Sequence, residues 1–218
     1  MKANYTDITI ILDRSGSMDS IRSDMEGALN TFLSEQKRLP GECLVSLVMF
    51  NHIVEDSYIA VPIEAVQDIK IRPEGWTALN DAMGVSITKA GIRFAMMDES
   101  RRPEKVIFVI ITDGQENKST EFTREAVAKL VETQSTEFSW QFVYLGANQN
   151  AVQEAKHYGI NAANAMTYAP IQGGVRAAAQ SLSCNIGAYR SGVMGSASFS
   201  TADRDTQETF LNKLDPNK

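Results

Sequence analysis

The chain has 218 residues, 43% of them hydrophobic and 22% charged, with a formal net charge of −6. That is enough apolar material for one sizeable packed domain, so wholesale disorder is excluded. An acidic balance argues against a phosphate-binding surface, so nucleic acid is not an expected partner.

Short β-rich runs alternate with helical stretches. The Ile-rich run 6–12 predicts a strand apolar on both faces, as in a central strand covered by two layers. A helix follows over 19–39, with Ile21, Met25, Ala28, Leu29, Phe32 and Leu33 at helical spacing, Asp19 or Ser20 as its cap, and Pro40-Gly41 ending it. Strands at 43–50 and 53–61 are separated by so short a link, Asn51-His52, that they predict an antiparallel hairpin and an edge strand. A helix over 79–97 leads to the run KVIFVIIT, 105–112, apolar almost throughout. Then come a helix at 122–135, a strand at 140–146, a short helix at 150–158, a short strand at 165–169 and a helix over 174–189. The pattern predicts an α/β fold: a doubly wound, mostly parallel sheet with one antiparallel edge strand and helices on both faces. Residues 1–190 read as the domain. Residues 191–218 read as a Gly/Ser-rich and polar tail, mobile or loosely docked, with a short helix at 205–213.

No apolar run is long enough to cross a bilayer, and the N-terminus MKANYTDITI does not read as a secretory signal. Cys43 and Cys184 lie in apolar or small-residue settings without a CxxC pairing, which predicts free buried thiols in a reducing, cytoplasmic compartment.

In doubly wound sheets, ligands bind beyond the carboxyl ends of the strands. The loop after the first strand, DRSGSM, sets Asp13, Ser15 and Ser17 at alternate positions, so that all three can face one side. The loop after the strongest strand, TDGQEN, begins with Asp113, and Gly114 permits a sharp exit. Thr77 stands just before a helix. Each feature alone also reads as a cap or a turn. Together they bring hydroxyls and two carboxylates to the same end of the sheet. Hard oxygen donors of this kind suit Mg²⁺, with Mn²⁺ or Ca²⁺ as other candidates.

The set D-x-S-x-S at 13–17, Thr at 77 and Asp at 113 resembles the metal-ion-dependent adhesion site (MIDAS) of von Willebrand factor type A domains, over about residues 5–190. KVIFVIITDGQEN and FVYLGANQNA are further similar to small stand-alone bacterial and phage members. The resemblance implies that Ser15 and Ser17 ligate the ion, Thr77 directly or through water, with Asp13 and Asp113 behind them or bound through water. It implies a Glu or Asp of a partner protein completing the coordination, and service in a multiprotein assembly, sometimes with an AAA+ ATPase. By the same analogy, the C-terminal helix would move with ligand binding. Arg14 departs from the uncharged residue many members carry, and its charge beside the ion would either attract an acidic ligand or repel the metal.

Around this set, Glu116 and Asn117 read as a solvated loop or as support behind the ligands, and Asn148 and Gln149 as helix caps or rim residues. Trp76 reads as a partner contact or a loop anchor. His52 and His157 have no ligand-like spacing, and Arg101, Arg102 and Lys105 read as a solvated basic cluster at the opposite end. Enzyme templates are not met. There is no G-x-S-x-G elbow, no phosphate loop and no dinucleotide fingerprint, and DRSGS lacks the second Asp of an aspartate-nucleophile phosphotransferase. The expectation is a binding module without enzymatic activity. The alternative is a metal-assisted hydrolase using Asp13 and Asp113.

Overall fold

A computed structural model describes residues 1–148 and 150–214. Six strands, β1 (Lys2–Asp13), β2 (Glu42–Phe50), β3 (Val54–Pro62), β4 (Pro103–Thr112), β5 (Gln141–Gly146) and β6 (Ala165–Thr167), form one sheet in the order β3-β2-β1-β4-β5-β6. Every pairing is parallel except the β2–β3 hairpin, so the expected mixed sheet with an antiparallel edge is what the chain builds. In the three-residue hairpin connection, the buried Asn51 accepts the Ile53 N–H on its side chain, 2.9 Å.

Strand parity explains the two-sided apolar runs. Ile107, Val109 and Ile111 of β4 pack with α1 (Arg22–Lys37) and α5 (Gln172–Arg190). Val106, Phe108 and Ile110 pack with α2 (Leu79–Ala95), α3 (Arg124–Phe138) and α4 (Ala151–His157) on the other face. β1 carries Ile8, Ile10 and Leu12 toward the first layer. Toward α2 it carries Asp7, whose buried carboxylate accepts two hydrogen bonds from Arg93, 2.8 and 3.0 Å. From β1 the chain steps outward to β2 and β3, and β4 then starts the opposite half. The crevice between the carboxyl ends of β1 and β4 is therefore the switch point of the sheet.

Three local expectations are corrected. The chain winds into a 3-10 turn, Gly16–Ile21, straight out of β1, so neither Asp19 nor Ser20 caps the helix that follows. Cys184 is exposed, whereas Cys43 is buried, and both are free thiols. The basic residues at the far end are engaged: Lys105 donates to the Arg190 carbonyl that ends α5, and Arg102 to the Met97 carbonyl.

The segment after Arg190 is docked. Ala197 and Phe199 enter the core, which contributes about 1.5–3 kcal/mol for a fully buried Phe. Helix α6 (Thr201–Leu214) is longer than the expected short helix. Its buried Gln207 accepts from Ala169 N and donates to the Gly174 carbonyl, both at 3.0 Å. Arg204 reaches the carbonyls of Ala162, Ala163 and Ala165. With Arg190 donating to Gln36, α5 is fastened at both ends. Among the described residues, no helix is long and apolar enough to cross a membrane.

Candidate metal centre

β1 ends in Asp13, whose carboxylate is fully buried. Its Oδ1 accepts the Ser15 N–H, 2.7 Å, closing a turn that folds the DRSGSM loop back on itself. The hydroxyls of Ser15 and Ser17 come within 3.2 Å of each other. Two adjacent ligands of an octahedral ion with 2.1 Å bonds stand about 3.0 Å apart, so this spacing already matches a pair of neighbouring coordination positions.

The second loop meets the first across the strand gap. Asp13 lies level with Thr112 of β4, and Thr112 Oγ1 donates to Asp13 Oδ2, 2.6 Å. Ser17 Oγ donates to Asp113 Oδ1, 2.7 Å. Thr112 was not singled out from the sequence. The signal was there: a hydroxyl residue closes an otherwise apolar strand, immediately before a carboxylate.

Thr77 arrives on a third segment. Glu74 N donates to the Arg14 carbonyl, Gly16 N to the Gly75 carbonyl, and Ala78 N to the Asn51 carbonyl, which fastens 74–78 to the first loop and to the hairpin. From the other side, Thr77 N donates to Asn117 Oδ1, and the Thr77 carbonyl accepts from Asn117 N and Lys118 N. Glu116 accepts from Asn80 N, Lys118 N and both Ser119 N and Oγ. Asp81 of α2 accepts from the N–H groups of residues 120, 121 and 122. Glu116 and Asn117 are therefore the clamp that holds Thr77 in place rather than a solvated loop. Asn148, with φ +55°, donates to the Asp113 carbonyl, 3.2 Å, and Asn150 is the residue that caps α4. Gln149 lies outside the described residues.

Gly114 shows how Thr77 meets the first loop. A Cβ built there would lie 3.1 Å from Thr77 Oγ1, 3.8 Å from Ser17 Oγ and 4.0 Å from Asp13 Oδ2. Oxygens from the first loop and from the Thr77 segment thus face one small volume that a glycine of the third segment leaves open, with Asp113 joined to it through Ser17. No group of three or more His, Cys, Asp or Glu side chains gathers among the described residues. A cation in this volume would meet hydroxyls and two carboxylates, a donor set that fits a hard divalent ion.

Electrostatics point the same way. Burial pushes Asp13 up to about 6, against the opposing hydrogen bonds from Thr112 and Ser15, with the Asp113 charge adding to the rise. Burial also raises Asp113, against the hydrogen bond from Ser17. Two carboxylates kept out of water favour protonation, and a dication between them would reverse that balance.

Arg14 does not present a free charge to this centre. Its guanidinium pairs with Glu55 at 3.0 Å and Glu74 at 3.5 Å. On the rim, Trp76 is 64% exposed and Ile53 of the hairpin 56% exposed, so Trp76 does not serve as a buried anchor. The His52 ring lies over Gly75, and His157 contacts Arg124 and Glu154 on α3 and α4; neither joins the oxygen cluster.

A family model of the von Willebrand factor type A domain matches residues 7–167. Solved structures with similar folds include proximal thread matrix protein 1 from the mussel byssus, at 14% identity and TM-score 0.59, covering 84% of this chain and 45% of that one. Another is a structure of the same mussel protein with a zinc-occupied MIDAS motif, at 16% identity and TM-score 0.51, covering 75% and 41%. A von Willebrand factor type A structure from Catenulispora acidiphila aligns at 18% identity and TM-score 0.53, covering 83% and 42%. At these identities the likeness is one of fold, and this chain spans less than half the length of those proteins. No curated protein sequence matches the chain.

Proposed function

This chain belongs to the von Willebrand factor type A domain family, and from that premise we propose that it is a divalent-cation-dependent protein-binding module. Ser15, Ser17 and Thr77 would hold the ion, with Asp13 and Asp113 as the charged groups behind or beside them. The ion supplies an electrophilic position that a Glu or Asp of a partner protein can fill. The observation that carries this reading is that Thr77, Ser17 and Asp13 oxygens face the space at Gly114, with Ser15 and Asp113 hydrogen-bonded to Ser17. Mg²⁺ is the ion proposed, because hydroxyl and carboxylate oxygens suit a small hard cation.

The surroundings support binding rather than turnover. Asp13 is engaged by Ser15 and Thr112, and Asp113 by Ser17, so both carboxylates orient other groups in the centre. Trp76 and Ile53 offer apolar contact area beside the centre, of the sort that anchors protein interfaces. Because Arg14 is neutralised by Glu55 and Glu74, the partner's carboxylate would be recognised through the ion and not through a rim cation. The reading extends to a cytoplasmic multiprotein assembly, with an AAA+ ATPase as the partner class suggested by resemblance. The two free thiols are consistent with a reducing compartment.

The test is affinity purification on the immobilised chain in Mg²⁺, elution with chelator, and repetition with Trp76→Ala and Asp113→Ala. A protein that elutes with chelator from the parent and is lost on Asp113→Ala supports the reading. Turnover of a phosphoester or ester panel that depends on Mg²⁺ or Mn²⁺ and on Asp13 would replace it with the hydrolase alternative.

A further inference from the structure

Helix α3 ends against local preference in three ways. Glu137 puts a carboxylate in the last turn, where the helix dipole favours a cation, and that turn holds no basic residue. Phe138, the last residue of the helix, is 53% exposed. Ser139, which follows, has φ +58°, the left-handed conformation usually left to glycine. Such conflicts between sequence and local structure, gathered in one turn, are expected at functional positions.

These residues line a groove of about 680 Å³ between the carboxyl ends of α2 and α3 and the start of β4. Its apolar floor comes from the buried Phe94, Val106 and Trp140. The Trp140 ring is held in place, stacked on Phe108 and edge-on to Phe94. Glu99, Glu104 and Glu137 stand exposed around it. Glu104 accepts the Asn4 N–H, 2.8 Å, but none of the three carboxylates forms an ion pair among the described residues. They share the groove with one guanidinium, Arg102, and the Met1 amine, so its rim is net negative. Arg102 donates to the Met97 carbonyl just past α2, which gives that helix end the cation its dipole favours. The end of α3 has none.

We propose that this groove docks a segment of a partner protein in which Lys or Arg flanks an aliphatic or aromatic side chain. The apolar side chain packs over Trp140 and Phe94. The cation sits beside Glu137 at the carboxyl end of α3, where it offsets both the carboxylate and the helix dipole. The groove lies at the amino ends of the parallel strands β4 and β5, and the candidate metal centre at their carboxyl ends. Docking here is therefore independent of metal binding, and it would let the chain join two partners at once.

The chain has two tryptophans, Trp76 and Trp140, so in Trp76→Phe the emission reports Trp140 alone. Short synthetic peptides with Leu, Ile or Phe between Lys or Arg residues are titrated into this variant in chelator, alongside Glu-flanked counterparts. The expected result is a saturable change in Trp140 emission with basic peptides, weakened by NaCl and absent with the Glu-flanked ones. Adding Glu137→Lys should weaken binding about tenfold, yet without peptide its Tm should equal or exceed that of the Trp76→Phe parent, because a cation suits that helix end. No saturable response to any basic peptide, an equal response to the Glu-flanked counterparts, or unchanged affinity in Glu137→Lys overturns the proposal. So does self-association of the parent, measured by sedimentation, that Phe138→Ser abolishes, which would make a second copy of the chain the occupant.

Discussion

Ser17 and Asp113, 96 positions apart in sequence, share a 2.7 Å hydrogen bond from the serine hydroxyl to the carboxylate. It joins the turn after β1 to the loop after β4 across the switch point of the sheet. The Ser17 oxygen also lies 3.8 Å from where a Gly114 Cβ would stand, so this contact ties Asp113 to the edge of the candidate cation centre.

Removing either carboxylate should therefore abolish Mg²⁺ binding while leaving the fold largely intact. For the parent chain at about 100 times the dissociation constant, Mg²⁺ should stabilise by about 2.7 kcal/mol. In a domain of this size that is a rise in Tm of roughly 5–10 °C. Thermal unfolding with MgCl₂ and with chelator should show this rise in the parent and none in Asp13→Ala or Asp113→Ala. A parent-like rise in either variant would remove that carboxylate from the centre.

Gly114→Ala places a methyl group in the space the cation would need, 3.1 Å from Thr77 Oγ1. Gly114 does not have a positive φ, so an alanine there meets no backbone strain. The expected outcome is a loss of Mg²⁺ affinity of tenfold or more, with stability in chelator within about 1 kcal/mol of the parent. Titration calorimetry and denaturant unfolding measure the two effects separately, and undiminished affinity would place the ion elsewhere.

Stability without metal should fall as pH rises from about 4 to about 6. Asp13 titrates near 6 in the folded chain, against about 4 when unfolded, because burial disfavours its charge. Between those values the folded state binds more protons than the unfolded state, so stability is full below the window and declines through it, by up to roughly 2–3 kcal/mol for a shift of this size. Asp113 is shifted in the same direction and adds to the decline. Asp13→Asn should flatten the slope. In the parent, stabilisation by Mg²⁺ should grow over the same window, because the cation favours the ionised carboxylates. Unfolding curves across pH 4–7 with chelator and with Mg²⁺ would show both trends, and equal slopes in parent and variant would contradict the assignment.

Midway along β1, Asp7 is buried against Arg93 of α2. Arg93→Ala leaves an unpaired charge in the core and should cost about 3–5 kcal/mol. Replacing both, as Asp7→Leu with Arg93→Met, should recover most of that loss. Denaturant unfolding of the single and double variants checks this. Mg²⁺ affinity should stay at the parent value in whichever variants remain folded, since this pair does not contact the oxygen cluster.

Much of this protein is legible along the chain because the governing interactions are local. The two-sided apolar runs of β1 and β4, the helical spacing from Ile21 to Leu33 and the short Asn51-His52 link report burial and turn geometry over a few residues, and they determined the doubly wound fold with its antiparallel edge. Asp13, Ser15 and Ser17 could be grouped because alternate residues share a side, and Thr77 and Asp113 because each stands at the end or start of an element. Other features depended on which distant segments become neighbours, which strand register and helix packing decide. That Thr112 donates to Asp13, that Glu116 and Asn117 clamp Thr77, and that Arg14 is neutralised from β3 and the 74–78 segment could only emerge once the sheet was assembled. The docking of α6 followed the same rule: its sequence is polar because it covers other elements with one face, and a single buried Gln207 bonding two backbone groups leaves no periodic apolar signal to read.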